Sequence, residues 1–195
     1  VDPTPGAGLS GRPRNGGELS GRGSGIIFLV GFMGSGKSTA GLILAKRLGC
    51  PFLDIDEEIQ KSESMSIVEI FRTRGESYFR EVESRILQGI FPEQPRVVAT
   101  GGGTLTIDAN CQFVESKGLT VWLRCPLDQI LDRCRESTER PLFQGLEQLL
   151  ELYRQREPIY RRARLHVDSG IATPEQIAER ILAALGQEPG SRVNR

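Results

Sequence analysis

Histidine and lysine are scarce in this chain, and the scarcity narrows its chemistry. His166 is the only histidine among 195 residues, and Lys37, Lys46, Lys61 and Lys117 are the only lysines. A zinc site built on histidines is therefore excluded. Cys50, Cys111, Cys125 and Cys134 form no C-x-x-C pair that could replace one, nor a disulfide framework. The cysteines read instead as small, mostly buried thiols of a reducing compartment. His166 sits in a short apolar strand pattern, reads as a core histidine and receives no role. An excess of either charge is also absent: 25 basic and 25 acidic residues leave a formal net charge of zero. No overall field gathers nucleic acid or an anionic membrane, so any anion must be bound locally. No apolar run approaches the ~20 residues that span a bilayer. The first residues have neither the apolar core of a secretory signal nor an amphipathic basic period. A cytoplasmic, soluble monomer is the expectation.

What is present is organised around Gly31 to Ser38, G-F-M-G-S-G-K-S, which fits the phosphate-loop pattern G-x-x-x-x-G-K-[ST]. The run Ile26 to Val30 just before it is too short for a surface helix and suits a strand buried on both faces. Thr39 to Leu48 has helical spacing, so the loop lies between strand and helix. Its glycines let successive N–H groups converge on an anion at a helix N-terminus. Gly34, Ser35, Gly36, Lys37, Ser38 and Thr39 are thus candidate ATP contacts, with Lys37 reaching the β- and γ-phosphates and Ser38 a Mg²⁺ ion.

Val1 to Gly25 is rich in Gly, Pro, Ser and Arg and reads as a disordered extension. Residues 26–186 form one domain, and 187–195 a flexible tail. Pro51 to Asp56 reads as a strand ending on two carboxylates, Asp54 and Asp56, which by strand alternation point to one face. Ser66 to Glu69 has capping-box spacing and opens a short helix that Gly75 ends, followed by a helix from Glu76 to Ile90. Val97 to Thr100 is a strand leading into Gly101, Gly102 and Gly103, where backbone can approach a ligand. Leu119 to Leu123 is a fourth strand, with a helix after Pro126. Arg135 to Gln144 is polar, broken by Pro141, and suits a mobile lid. Leu146 to Arg156 is helical up to Pro158, Leu165 to Asp168 is the last strand, and Thr173 to Gln176 opens a final helix through Leu185. Five strands alternating with helices give a three-layer α/β/α fold on a parallel sheet.

The blocks G-F-M-G-S-G-K-S-T, D-I-D (54–56), G-E-S-Y-F-R-E-V-E (75–83), A-T-G-G-G (99–103), R-P-L-F (140–143) and R-E-P-I-Y (156–160) together resemble the shikimate kinase family. The resemblance runs from Ile26 to Leu185. It implies a nucleoside-monophosphate-kinase-like P-loop fold with sheet order 2-3-1-4-5. It also implies transfer of the γ-phosphoryl group of ATP to the 3-hydroxyl of shikimate, in the route to chorismate and the aromatic amino acids. By the same resemblance Asp56 accepts the hydroxyl proton, Asp54 holds Mg²⁺ with Ser38, and Arg80 and Arg156 clamp the shikimate carboxylate. Gly101, Gly102 and Gly103 contact the ring hydroxyls, Arg140 swings in from the lid, and Arg133 and Pro174 sandwich adenine. Phe71 and Phe79 wall the ring or belong to the core, and Glu83 orients Arg80 or is a plain i, i+3 pair.

Phosphoryl transfer needs alignment and charge neutralisation more than covalent help, and the chain holds a group for each part. Two other readings stand beside this one. A gluconate-kinase-like enzyme would share the fold and the carboxylate clamp. A catalytically silent nucleotide-binding module would lack at least one of Lys37, Asp56 or Arg140, and all three are present.

Overall fold

Alternate residues of the strand Ile26–Val30 (β1) serve opposite faces of the sheet, and that division sets the architecture. Ile26, Phe28 and Val30 pack into one apolar cluster and Ile27 and Leu29 into another, all of them buried. A strand covered on both sides belongs at the centre of a parallel sheet. The computed structural model describes residues 25–90, 94–135 and 146–187, with the backbone alone at 133–135 and 187.

In chain order the elements are β1, helix Lys37–Leu48 (α1), strand Phe52–Asp54 (β2), helix Ile55–Glu63 (α2), and helix Ile67–Gln88 (α3). Strand Arg96–Ala99 (β3), helix Asp108–Lys117 (α4), strand Gly118–Arg124 (β4) and helix Leu127–Arg135 (α5) follow. Helix Leu146–Tyr160 (α6), strand Leu165–Asp168 (β5) and helix Pro174–Gln187 (α7) complete the order. All strand pairs are parallel, in the order β2-β3-β1-β4-β5. Helices α1 and α7 cover one face through Ala40, Leu44, Ile177 and Ile181, while α2 to α6 cover the other. The three-layer expectation and the strand order are both met. No helix among the described residues is long and apolar enough to cross a membrane.

Several boundaries differ from the sequence reading. The strand expected over Pro51 to Asp56 stops at Asp54, whose side chain accepts the Asp56 N–H at 2.9 Å and starts α2. The two aspartates therefore do not alternate along one strand. The expected capping box at Ser66 and Glu69 is present, and the helix that follows breaks at Gly75 (φ 82°, ψ 171°) before continuing to Gln88. Helix α6 runs past Pro158 to Tyr160. His166 is exposed on the edge strand β5, not in the core. Its Nε2 donates to the Arg161 carbonyl at 3.1 Å, and its ring packs edge-on against Trp122. Cys111 and Cys125 are buried and Cys50 half-buried, and none of the three is in a disulfide. Residues 1–24 of the extension expected over 1–25, most of the lid, and residues 188–195 of the tail expected over 187–195 lie outside the described residues.

Close packing of β1 on β4 depends on Gly118. A Cβ there would lie 2.4 Å from the Ile26 carbonyl oxygen and 2.9 Å from the Phe28 ring. Because the first obstacle is backbone, Gly118→Ala is expected to destabilise the fold by about 1–3 kcal/mol. Urea denaturation of the two proteins checks this; unchanged stability would refute the packing argument.

Candidate active site

The phosphate loop turns on Gly36, which caps α1 in the left-handed region (φ 91°) where a side chain would be strained. No acidic residue occupies the first turn of α1, so the helix N-terminus keeps its positive character. The Lys37 ammonium folds back over the loop, donating to the carbonyls of Gly31 at 2.8 Å and Phe32 at 2.9 Å. Ser38 Oγ donates to Asp54 Oδ2 at 2.5 Å, which joins the loop to the end of β2. The other Asp54 oxygen is engaged by the Asp56 N–H, so capping holds Asp54 toward the loop and sets Asp56 in the first turn of α2.

Opposite the loop, the glycine run after β3 is needed for space. A Cβ at Gly101 would lie 2.6 Å from Glu83 Oε1 and 2.9 Å from Asp56 Oδ1, and one at Gly103 would lie 2.5 Å from Arg80 Nη2. The bare backbone lets three charged side chains converge. Glu83 is fully buried, accepting from Arg80 Nη1 at 2.7 Å and from Thr104 Oγ1 at 2.6 Å. Asn110 in turn donates to the Thr104 carbonyl at 3.0 Å. Burial works against the Arg80 charge, but Glu83 and Glu76 more than offset it and hold its pKa above the ordinary arginine value. Arg156 is buried beside Gly102 and lies over the Phe32 ring at 5.9 Å. Tyr160, one turn along α6, donates its hydroxyl proton to the Gly102 carbonyl.

These groups share one cleft of about 890 Å³. Ala172, Pro174 and Ile177 line one end, and Gly34, Gly36, Lys37, Ser38 and Thr39 the middle. Asp54, Asp56, Arg80, Gly101, Gly102, Gly103 and Arg156 line the other end. Nearly every residue singled out by sequence is therefore brought together. Ser35 is not: its side chain is fully buried beneath the loop and its hydroxyl makes no hydrogen bond. Arg140 lies outside the described residues, as does the side chain of Arg133. Phe71 and Phe79 both line the cleft, their ring centroids 4.8 Å apart, and Phe79 also belongs to the core. Glu83 is a buried ion-pair partner of Arg80, not a surface pair. Sequence reasoning missed Met33, Gln60, Ser66, Ile67, Val68 and Thr100 as lining residues, along with Thr104 and Tyr160 behind them. For Tyr160 a signal existed, since it closes the R-E-P-I-Y block.

Burial pushes the Tyr160 phenol well above the usual tyrosine value, with the nearby Arg156 charge opposing. In the folded protein it stays protonated where an unfolded tyrosine ionises, near pH ~10. The folded state then binds more protons than the unfolded one, so stability falls as pH rises through that range. Tyr160→Phe is expected to be less stable near neutrality and to show a shallower alkaline loss. Denaturation midpoints between about pH 8 and 11 read this; an identical alkaline slope would refute it.

The family model described as shikimate kinase matches residues 33–186 of this chain. The chain is 41% identical over 160 residues to shikimate kinase from Persephonella marina, covering 82% of this chain and 98% of that one. It is similar in structure to the crystal structure of shikimate kinase from Aquifex aeolicus, with a TM-score of 0.75 at 40% identity, covering 82% and 95% of the two chains. Shikimate kinase from Acinetobacter baumannii in complex with shikimate gives a TM-score of 0.79 at 35% identity, covering 82% and 92%. A deoxyadenosine kinase from M. mycoides, 14% identical with a TM-score of 0.57, shares the fold alone. With a family model matching residues 33–186 and relatives about 40% identical over 82% of its length, the chain belongs to the shikimate kinase family.

Proposed function

We propose that this protein transfers the γ-phosphoryl group of ATP to the 3-hydroxyl of shikimate, giving shikimate 3-phosphate and ADP for aromatic amino acid biosynthesis. The observation that carries this reading is that one cleft holds a phosphate loop at its middle and two guanidinium groups, Arg80 and Arg156, at its acceptor end, with Asp56 among them. A planar carboxylate is the natural ligand of such a pair. The relative from Acinetobacter baumannii is a complex with shikimate, which supports the same acceptor here.

In this mechanism Arg80 and Arg156 grip the carboxylate, and backbone N–H groups of Gly101 to Gly103 meet the ring hydroxyls. Phe71 and Phe79 cover the apolar side of the ring. Asp56 accepts the proton of the 3-hydroxyl as its oxygen attacks the γ-phosphorus. The bond between that phosphorus and the bridging oxygen breaks, and ADP leaves with the electron pair. Lys37 releases the loop carbonyls to meet the phosphates and neutralises developing charge. Arg140 adds a further cation from the lid, and Pro174 with Arg133 holds adenine.

Ser38 Oγ and the Asp54 carboxylate, 2.5 Å apart, are hard oxygen donors that fit Mg²⁺. They would hold the ion directly or through water, and it supplies positive charge to the β- and γ-phosphate oxygens. Such an ion would keep waters and the nucleotide's phosphate oxygens among its other ligands. The chain acts alone, a reading supported by donor and acceptor ends that one chain lines, and in the cytoplasm, a reading supported by cysteines that form no disulfide framework.

An ADP-release assay is expected to give turnover with shikimate and none with gluconate; the reverse would overturn the acceptor. Asp56→Asn is expected to lower kcat by roughly 10²–10⁴ with ATP affinity retained. Arg156→Ala is expected to raise the KM for shikimate by roughly 10–150-fold with the KM for ATP unchanged. Steady-state kinetics with each substrate varied in turn checks both variants, and wild-type constants in either would remove that role.

A further inference from the structure

The two halves of α3 both line the acceptor end, and they meet at a break. Ser66, Ile67 and Phe71 precede Gly75, whereas Phe79, Arg80 and Glu83 follow it, and all six line the cleft. The angle at Gly75 therefore fixes how far Phe71 stands from Arg80. Gly75 itself is not packed in, since a Cβ there would meet nothing within 4 Å, while Phe71 and Phe79 touch across the break with ring centroids 4.8 Å apart. A glycine at φ 82° has many other conformations open to it.

Outside the cleft, one carboxylate bridges the break. Glu63, at the end of α2, has a side chain only 8% exposed. It accepts from Arg74 Nη1 at 2.8 Å on the near side of Gly75. From the far side it accepts Tyr78 Oη at 2.7 Å and Arg85 Nη2 at 3.4 Å. Arg74 also donates to Tyr78 Oη at 2.5 Å and lies 4.8 Å from the centroid of its ring, so partners from the two halves hold each other as well. Charge-assisted hydrogen bonds around a largely buried carboxylate are stronger than exposed ion pairs.

We propose that Glu63 is a positioning residue for the acceptor, clasping α3 across Gly75 so that the apolar wall at Phe71 and the cation at Arg80 stand at the spacing the acceptor needs. The inference rests on the reading that Arg80 binds the acceptor's carboxylate. Its test is Glu63→Ala, with Tyr78→Phe as a milder variant that removes one clasp partner and keeps the ring. Glu63→Ala is expected to raise the KM for shikimate about five- to twentyfold, a loss of roughly 1–2 kcal/mol of binding, while the KM for ATP and kcat stay within about twofold. Tyr78→Phe is expected to shift the same constant less, in the same direction. Hydrogen exchange on the free protein is expected to speed up at amides 73–79 in Glu63→Ala and to be unchanged in α1. An unchanged KM for shikimate, an equal rise for both substrates, or unaltered exchange at 73–79 would overturn the proposal. Arg80→Ala run in parallel separates the two ideas. If it leaves the KM for shikimate unchanged, the substrate reading fails, while the exchange result still decides whether Glu63 holds the elbow.

Discussion

A carboxylate with no contact with water cannot stay charged without partners, and Glu83 is such a group. Its two oxygens are taken by Arg80 and Thr104, at 2.7 Å and 2.6 Å. Much of the acceptor end follows from that requirement. Arg80 is drawn against Gly103, which has no Cβ to block it, and Thr104 is held by Asn110 from α4. Gly101 brings the backbone within reach of both Glu83 and Asp56. Loss of one partner would leave a buried charge uncompensated, at a cost of several kcal/mol.

The donor end is arranged by the sheet. Parallel order places the C-terminal ends of β1, β2 and β3 side by side, and the phosphate loop, the aspartates and the glycine run each start where one of these strands stops. Two short links then fasten these elements to one another. Ser38 reaches Asp54 across the strand ends, and Tyr160 fastens α6, with its Arg156, to the carbonyl of Gly102. Helix α6, which carries Arg156, is therefore fastened to the glycine run, as the phosphate loop is to the end of β2.

The fold was largely legible in the sequence because its signals were local. Ile26 to Val30 announced a two-face strand, Ser66 and Thr173 announced helix starts, and both carry capping boxes. What stayed hidden depended on partners distant in sequence. Helix α2 has only Ile55 and Ile59 as buried apolar residues, and its start is set by the cap at Asp54, so the pattern read as more strand. His166 looked internal because it alternates in an apolar strand, yet β5 is an edge strand and its outer positions face water. Most of the site could be read from glycines, aspartates and arginines in spaced blocks. Thr104 could not, since nothing local marks a threonine that serves a glutamate 21 residues earlier.

The central claim is that this cleft recognises its acceptor through a carboxylate held by Arg80 and Arg156. Calorimetric titration with shikimate and with its uncharged methyl ester tests that most directly. With two charge-assisted contacts worth ~1.5–3 kcal/mol each, shikimate is expected to bind at least about a hundredfold more tightly than the ester. Equal affinity for the two would contradict the account.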